Sequence, residues 1–235
     1  MKRRADCGYN ERLFSSGLRK QFHLARFYWL ARSLTKLPCS YHSVLELGSF
    51  DGKVLDFLPV KPWRYLGLDA NWEGGIELAR ARWQAEPNFI FRECHTPDDM
   101  GIGSEQFDIA ICMDTLEHIP PDMVDAYLEQ LARVTTTYIF ITAPNEKGIV
   151  FCCKYLLKKL LGGDVQPYTI CEFFNATAGR LDKVARREHK GFDYAVLLQR
   201  IAKYFEISDV SGYPFEFLPK FLNFGVGIIG KKLVQ

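Results

Sequence analysis

The sequence predicts one α/β domain built on a seven-stranded, mostly parallel sheet, with helices on both faces and an antiparallel edge at its C-terminal end. Three observations carry this. Five short apolar runs between residues 44 and 142 alternate with helical stretches, at the spacing of strand–helix–strand units. The runs are almost continuously apolar, as strands buried on both faces must be. The chain has 235 residues, 48% of them apolar, which is enough for one such domain with a sizeable core.

Residues 15–36 read as a helix, with Phe22, Leu24, Phe27, Tyr28, Leu30, Ala31 and Leu34 crowded together. Arg19, Lys20, Arg26 and Arg32 give it a polar side, and Pro38 stops it. Val44-Leu45-Glu46-Leu47-Gly48 is the first strand, followed by a helix from about Gly52 to Leu58 that Pro59 ends. Tyr65 to Asp69 is the second strand, 73–84 a helix, Asn88 to Arg92 the third strand and Phe107 to Met113 the fourth. A helix over 121–134 takes Pro120-Pro121 at its start, where proline is favoured. Tyr138 to Thr142 is the fifth strand. Residues 149–192 then break the rhythm and read as an insertion: an apolar-basic stretch from Ile149 to Leu161, Gly162-Gly163, and a basic segment from Arg180 to Lys190. A helix at 193–203 and strands at 204–210 and 224–231 complete the sheet. These two strands read as an antiparallel edge hairpin joined by Gly212-Tyr213-Pro214. The expected division is an N-terminal helical cap (1–42), a cofactor-binding half (43–148), a substrate cap (149–192) and the C-terminal helix and edge strands (193–235).

Net charge is +2 with 25% charged residues, a balance that argues against nucleic acid as a partner. The seven cysteines (Cys7, Cys39, Cys94, Cys112, Cys152, Cys153 and Cys171) form no CxxC pair and no metal-type spacing with histidine. Reduced, buried thiols are the expectation, and no metal is called for. Met1-Lys2-Arg3-Arg4 is basic, but no apolar run of the kind a secretory leader needs follows it. No apolar stretch approaches the roughly 20 residues of a membrane span. A cytoplasmic protein is expected, with at most a peripheral place on a membrane surface.

Two motifs carry chemistry. In Glu46-Leu47-Gly48-Ser49-Phe50-Asp51-Gly52 a strand must turn sharply into the next element, and Gly48 and Gly52 supply the freedom for it. Ligands of open α/β sheets bind outside the carboxyl ends of the strands, where this turn lies. Asp69 ends the second strand about 20 residues further on, where a carboxylate can accept both hydroxyls of a ribose. By itself Asp69 reads equally well as a helix cap. A dinucleotide fingerprint would need glycines where Phe50 and Lys53 stand. Phe50 would obstruct a pyrophosphate, whereas a nucleoside without phosphates is tolerated.

Gly48 to Gly52, Leu68-Asp69, Phe107 to Ile111 and Asp114-Thr115-Leu116-Glu117-His118 resemble, in order, the motifs of class I S-adenosylmethionine-dependent methyltransferases. The similarity covers residues 43–145, and Leu116-Glu117-His118 looks most like the ubiquinone- and menaquinone-pathway subgroup. Phe50 departs from the usual middle glycine. The resemblance implies a Rossmann-like sheet and S-adenosylmethionine as cofactor. It places Glu46 near the methionine ammonium, Gly48 and Gly52 in the backbone cradle, and Asp69 on the ribose. It sets Glu93-Cys94 at the adenine, with Glu93 replacing the usual aspartate, and Met113 and Asp114 toward the methionine end. Ser49 and Ala70 complete the cofactor-binding set.

His118 has two readings, a base at the substrate mouth or a packing residue. His189, in the basic insertion, reads as solvated, or as a second candidate base if the insertion folds over the mouth. Residues 149–161 form a short amphipathic helix with Lys154, Lys158 and Lys159 on its polar side. It either packs on a core or meets a membrane surface or apolar acceptor. The expected activity is methylation of a hydroxyl on a small-molecule, lipid-linked or glycan acceptor. Two rivals stand beside it: a binding module without catalysis and a nicotinamide-dependent oxidoreductase.

Overall fold

The computed structural model describes residues 17–38, 40–104, 106–160, 165–187 and 189–233. Helix α1 (Gly17–Thr35) precedes β1 (Ser43–Leu47), and β2 (Arg64–Asp69), α2 (Gly75–Arg82) and β3 (Phe89–Glu93) follow. Next come β4 (Phe107–Met113), α3 (Val124–Val134) and β5 (Thr135–Pro144). The insertion holds α4 (Gly148–Leu160) and α5 (Ile170–Thr177). The chain closes with α6 (Tyr194–Ile201), β6 (Phe205–Tyr213) and β7 (Gly225–Lys232).

The seven strands form one sheet in the order β3-β2-β1-β4-β5-β7-β6. The first five run parallel, and β7 lies antiparallel between β5 and β6. Side chains alternate across the pleat, so each strand feeds two cores. Leu45, Leu47, Ala110, Cys112 and Ile141 face Leu128 and Leu131 of α3 and Leu197 of α6. Val44, Ile109, Ile111 and Phe140 face Phe27 and Trp29 of α1 and Ile76 of α2. Both faces are therefore covered, which is why the strand sequences lack a polar alternation.

Helix α1 is a full layer of this fold. The Trp29 indole is buried and donates to Ser211 Oγ at 2.9 Å. It lies on β7 because Gly227 has no side chain: a Cβ there would stand 2.1 Å from the indole. Arg26, expected on the polar side, is 8% exposed and turns into the protein. Residues 15 and 16, expected in this helix, lie outside the described residues.

Several local expectations are corrected. The helix expected from Gly52 to Leu58 is a single 3-10 turn (Lys53–Asp56), because Gly52 enters it with φ 70° and only Val54 and Leu55 are buried. Pro120-Pro121 do not open α3: residues 121–123 form a separate turn before Val124. Gly212 and Tyr213 belong to β6, and residues 214–224 make the connection to β7. Cys94 and Cys112 are buried free thiols, but Cys153 and Cys171 are exposed ones. Cys7 and Cys39 lie outside the described residues, as do Gly162-Gly163.

The insertion folds on a small core of its own. Phe151, Ala176, Leu181 and Val184 pack with Tyr155, Tyr168 and Phe173. Helix α5, absent from the sequence reading, starts at a capping box. Thr169 Oγ1 accepts from the Glu172 N–H, and the Glu172 carboxylate accepts from the Thr169 N–H. In α4 only Val150 and Phe151 are buried, while Leu156 to Leu160 are exposed. Lys154 is not a free polar-face lysine: it pairs with Glu146 at 2.7 Å. No helix among the described residues is long and apolar enough to cross a membrane.

Candidate active site

The candidate residues gather where β1, β2 and β4 end. At the first turn Gly48 takes φ 82° and Gly52 φ 70°, in the left-handed region that glycine occupies without cost. The N–H groups of Gly48 and Ser49 both donate to the Leu68 carbonyl, at 2.7 and 3.1 Å. A Cβ on Gly48 would stand 2.1 Å from Thr115 Oγ1. The turn after β4 therefore rests directly on the glycine turn. Phe50 also has positive φ, 43°. Its ring lies over Gly75, where a Cβ would stand 2.4 Å from it, so the side chain points to the start of α2.

Asp69 ties the two turns together. Its Oδ2 accepts from the Phe50 N–H at 2.9 Å and its Oδ1 from the Asn71 N–H at 2.8 Å. A carboxylate has about four acceptor positions, so two remain for ribose hydroxyls. Ala70 follows, half-buried. Glu46 is buried and accepts from the Tyr65 hydroxyl. Burial pushes its carboxyl well above the usual range, against the Tyr65 bond, which lowers it. Glu93 is exposed and accepts from Asn71 Nδ2 at 2.8 Å. The Cys94 N–H donates to the Asp69 carbonyl at 2.9 Å, and burial raises the thiol to about 11. That thiol stays protonated.

After the buried Met113, Asp114 adopts φ 49°. Three side chains donate to its carboxylate: Arg26 at 2.7 Å, Thr142 at 2.8 Å and Tyr213 at 3.0 Å. Burial raises its pKa, but the Arg26 charge and these donors outweigh it and hold the carboxyl below its usual value. Sequence reasoning missed all three donors, which come from α1, β5 and β6.

Glu117 is almost fully buried. Among the described residues no hydrogen bond reaches either carboxylate oxygen. Burial first, then the Asp114 charge, pushes this carboxyl well above its usual value. Arg186 donates to the Glu117 carbonyl at 2.7 Å and anchors the insertion to this turn. His118 and His189, 71 positions apart in the chain, meet edge to face with ring centroids 4.5 Å apart. His189 Nδ1 stands 3.9 Å from Glu117 Oε1. The insertion thus returns to the rim and brings the two candidate histidines together, and His189 is only partly solvated. A cavity of about 410 Å³ opens between the insertion and the α3–α6 layer, and its lining includes Leu116, Asp182, Arg186, Phe192, Asp193 and Arg200.

These residues fit a nucleoside cofactor with an amino-acid limb. The glycine turn leaves bare backbone, Asp69 keeps spare acceptor positions, and Phe50 is seated away on Gly75. Residues 44–137 match the methyltransferase-domain family model. No curated protein sequence matches the chain. Among solved structures, a protein of Pyrococcus horikoshii is 13% identical, with 96% of each chain covered and a TM-score of 0.63. An S-adenosylmethionine-dependent methyltransferase of Clostridium acetobutylicum is 12% identical, with 95% of each chain covered and a TM-score of 0.61. The magnesium protoporphyrin IX methyltransferase of Synechocystis, solved with bound S-adenosylhomocysteine, is 14% identical over 95% of this chain and 92% of its own, with a TM-score of 0.59. Residues 44–137 carry a methyltransferase domain, whose cofactor is S-adenosylmethionine, and the chain as a whole shares the fold of these solved structures.

Proposed function

We propose that the chain methylates a hydroxyl of a small-molecule, lipid-linked or glycan acceptor held under the 149–192 insertion. The observation that carries this is the meeting of His118 and His189 beside the glycine turn. The cofactor, when bound, supplies a methyl already activated on a sulfonium. The protein then has to align the acceptor and take up its proton. A hydroxyl needs that proton removed, and imidazole is the side chain best matched to the task near neutral pH.

In this reading Glu46, Gly48, Ser49, Gly52, Asp69, Ala70, Glu93, Cys94, Met113 and Asp114 surround the cofactor. Residues 17–38 are the described part of the N-terminal helical cap, 43–148 form the cofactor half, 149–192 the acceptor cap and 193–235 the C-terminal helix and edge strands of the same domain. The cavity lining sets Arg186 and Arg200 against Asp182 and Asp193, so its charge favours neither an anionic nor a cationic acceptor. The exposed Leu156, Leu157 and Leu160 beside Lys158 and Lys159 support an apolar or lipid-linked acceptor reached at a membrane surface. The likeness of Leu116-Glu117-His118 to quinone-pathway enzymes agrees with that chemistry.

The test is incubation of the full chain with methyl-labelled cofactor and a cell extract, with the labelled product identified by mass spectrometry. An O-methylated product is expected, and His118→Ala or His189→Ala should lower its formation by roughly 10²–10⁴-fold. Cofactor binding with no labelled product from any extract fraction would favour the binding-module rival instead.

A further inference from the structure

We propose that Glu117, His118 and His189 form a binding site for one divalent transition-metal ion, of the zinc, cobalt or manganese kind, at the mouth of the acceptor cavity. Each offers one ligand atom, and the three atoms lie within 4.8 Å of one another. A tetrahedral ion about 2.0–2.1 Å from each would hold them about 3.4 Å apart. Closing that difference takes small side-chain rotations.

The buried carboxylate is the second observation. The Glu117 side chain is fully buried, and among the described residues no hydrogen bond reaches either oxygen. A buried carboxylate is costly unless it is paired or coordinates a metal. The nearby groups do not supply the bond. Arg186 donates to the Glu117 main-chain carbonyl. Arg26 bonds to Asp114. His189 Nδ1 stands at 3.9 Å, too far for a hydrogen bond but suited to a shared ion.

The third observation is how His189 is held. Arg187 and Lys190 exchange main-chain hydrogen bonds at 2.9 Å, and the His189 carbonyl accepts from the Phe192 N–H at 3.1 Å. Lys190 is pinned to Glu172 of α5 at 2.8 Å. The imidazole therefore sits in a tight, anchored turn aimed back at the β4 rim. An ion here would fasten the insertion to the cofactor half.

Two imidazoles and one carboxylate select borderline transition metals over magnesium or calcium, which prefer all-oxygen sites. Three protein ligands leave a position open, and both histidines remain partly exposed. An acceptor hydroxyl can occupy that position. This use rests on the methyl-transfer reading above; the ion site itself does not. With both imidazoles engaged as ligands the ion would take over the role given above to a free histidine base: the hydroxyl would be acidified on the ion and give its proton to water. The O–C bond then forms as the methyl–sulfur bond breaks. The electron pair of that bond stays on sulfur, and nothing is oxidised or reduced.

The experiment is spectroscopic and calorimetric titration of the untagged full chain, freed of metal by a chelator, with Co²⁺, Zn²⁺ and Mg²⁺ in the absence of cofactor and acceptor. One equivalent of Co²⁺ should bind with a visible ligand-field band that Zn²⁺ displaces, and Mg²⁺ should bind far more weakly. Loss of an outer-shell partner typically costs 10–100-fold in affinity, so His189→Ala, on the partly exposed turn, should cost about 100-fold or more. Glu117→Gln should do the same, with circular dichroism confirming that both variants fold. Absence of stoichiometric binding, or binding unchanged in His189→Ala, overturns the site. Methyl transfer that survives in such a metal-free chain would leave the proposed activity standing without the ion.

Discussion

Phe50 holds a left-handed backbone that costs an ordinary side chain about 1–2 kcal/mol. Its main-chain N–H is fixed by Asp69, and its ring needs the bare face of Gly75. Gly75→Ala should therefore push the ring out of its seat. A loss of about 1–3 kcal/mol in stability is expected from the overpacking, together with weaker cofactor binding. The Phe50→Gly, Gly75→Ala double variant should recover cofactor binding. Equal melting temperature and affinity in Gly75→Ala would show that the ring has another place to go. The role of Phe50 was only half legible. The sequence reading has the bulky side chain obstruct a pyrophosphate; the ring instead turns away onto Gly75, 25 positions on, a contact that only the folded turn creates.

At the scale of elements, helix α1 reaches the site through the Arg26–Asp114 pair, whose side chains are only 10% and 20% exposed. Removing one partner of a largely buried pair leaves a charge uncompensated. Arg26→Met should cost on the order of 3 kcal/mol, measured by denaturant unfolding, and Asp114→Asn in the same chain should recover part of it. No recovery in the double variant would place the loss in packing. The insertion makes a pH prediction. The Lys190 ammonium and the Thr169 N–H hold the Glu172 carboxyl at about 2, below its ordinary 4.5. A carboxyl lowered on folding contributes stability above its unfolded value and loses it as pH falls toward its folded value. Pepsin cleavage within residues 165–187 should therefore rise between pH 4.5 and about 2 in the wild type. Glu172→Gln should already be cleaved at pH 4.5, and identical cleavage of the two chains would remove Glu172 from the account. Strand β4 was legible to the residue, because a buried parallel strand is one apolar run. The turn at Lys53–Asp56 was not, since Val54 and Leu55 mark burial without saying whether a helix continues. Helix α5 left a readable signal in Thr169 and Glu172, the two ends of its capping box.

Over the whole molecule, the sheet and the rim at its strand ends follow from local patterns, while the docking of the insertion on that rim follows from a long-range return of the chain. Gly48, Asp69 and Asp114 stand at strand ends whose order the sequence displays. His118 and His189 meet only because the insertion packs its own core and sends Arg186 back to the Glu117 carbonyl. No periodicity in residues 149–192 encodes that path. The cofactor site is the claim on which the rest depends, and calorimetry tests it most directly. Wild type and Asp69→Ala, each shown by circular dichroism to be folded, are titrated with S-adenosylmethionine, S-adenosylhomocysteine and NAD. Removing charge-assisted hydrogen bonds to the ribose should cost about 1.5–3 kcal/mol, or roughly tenfold or more in affinity for both adenosyl ligands, and NAD should give no binding heat. An Asp69→Ala chain that binds S-adenosylmethionine as tightly as the wild type would contradict the placement of the cofactor on this rim.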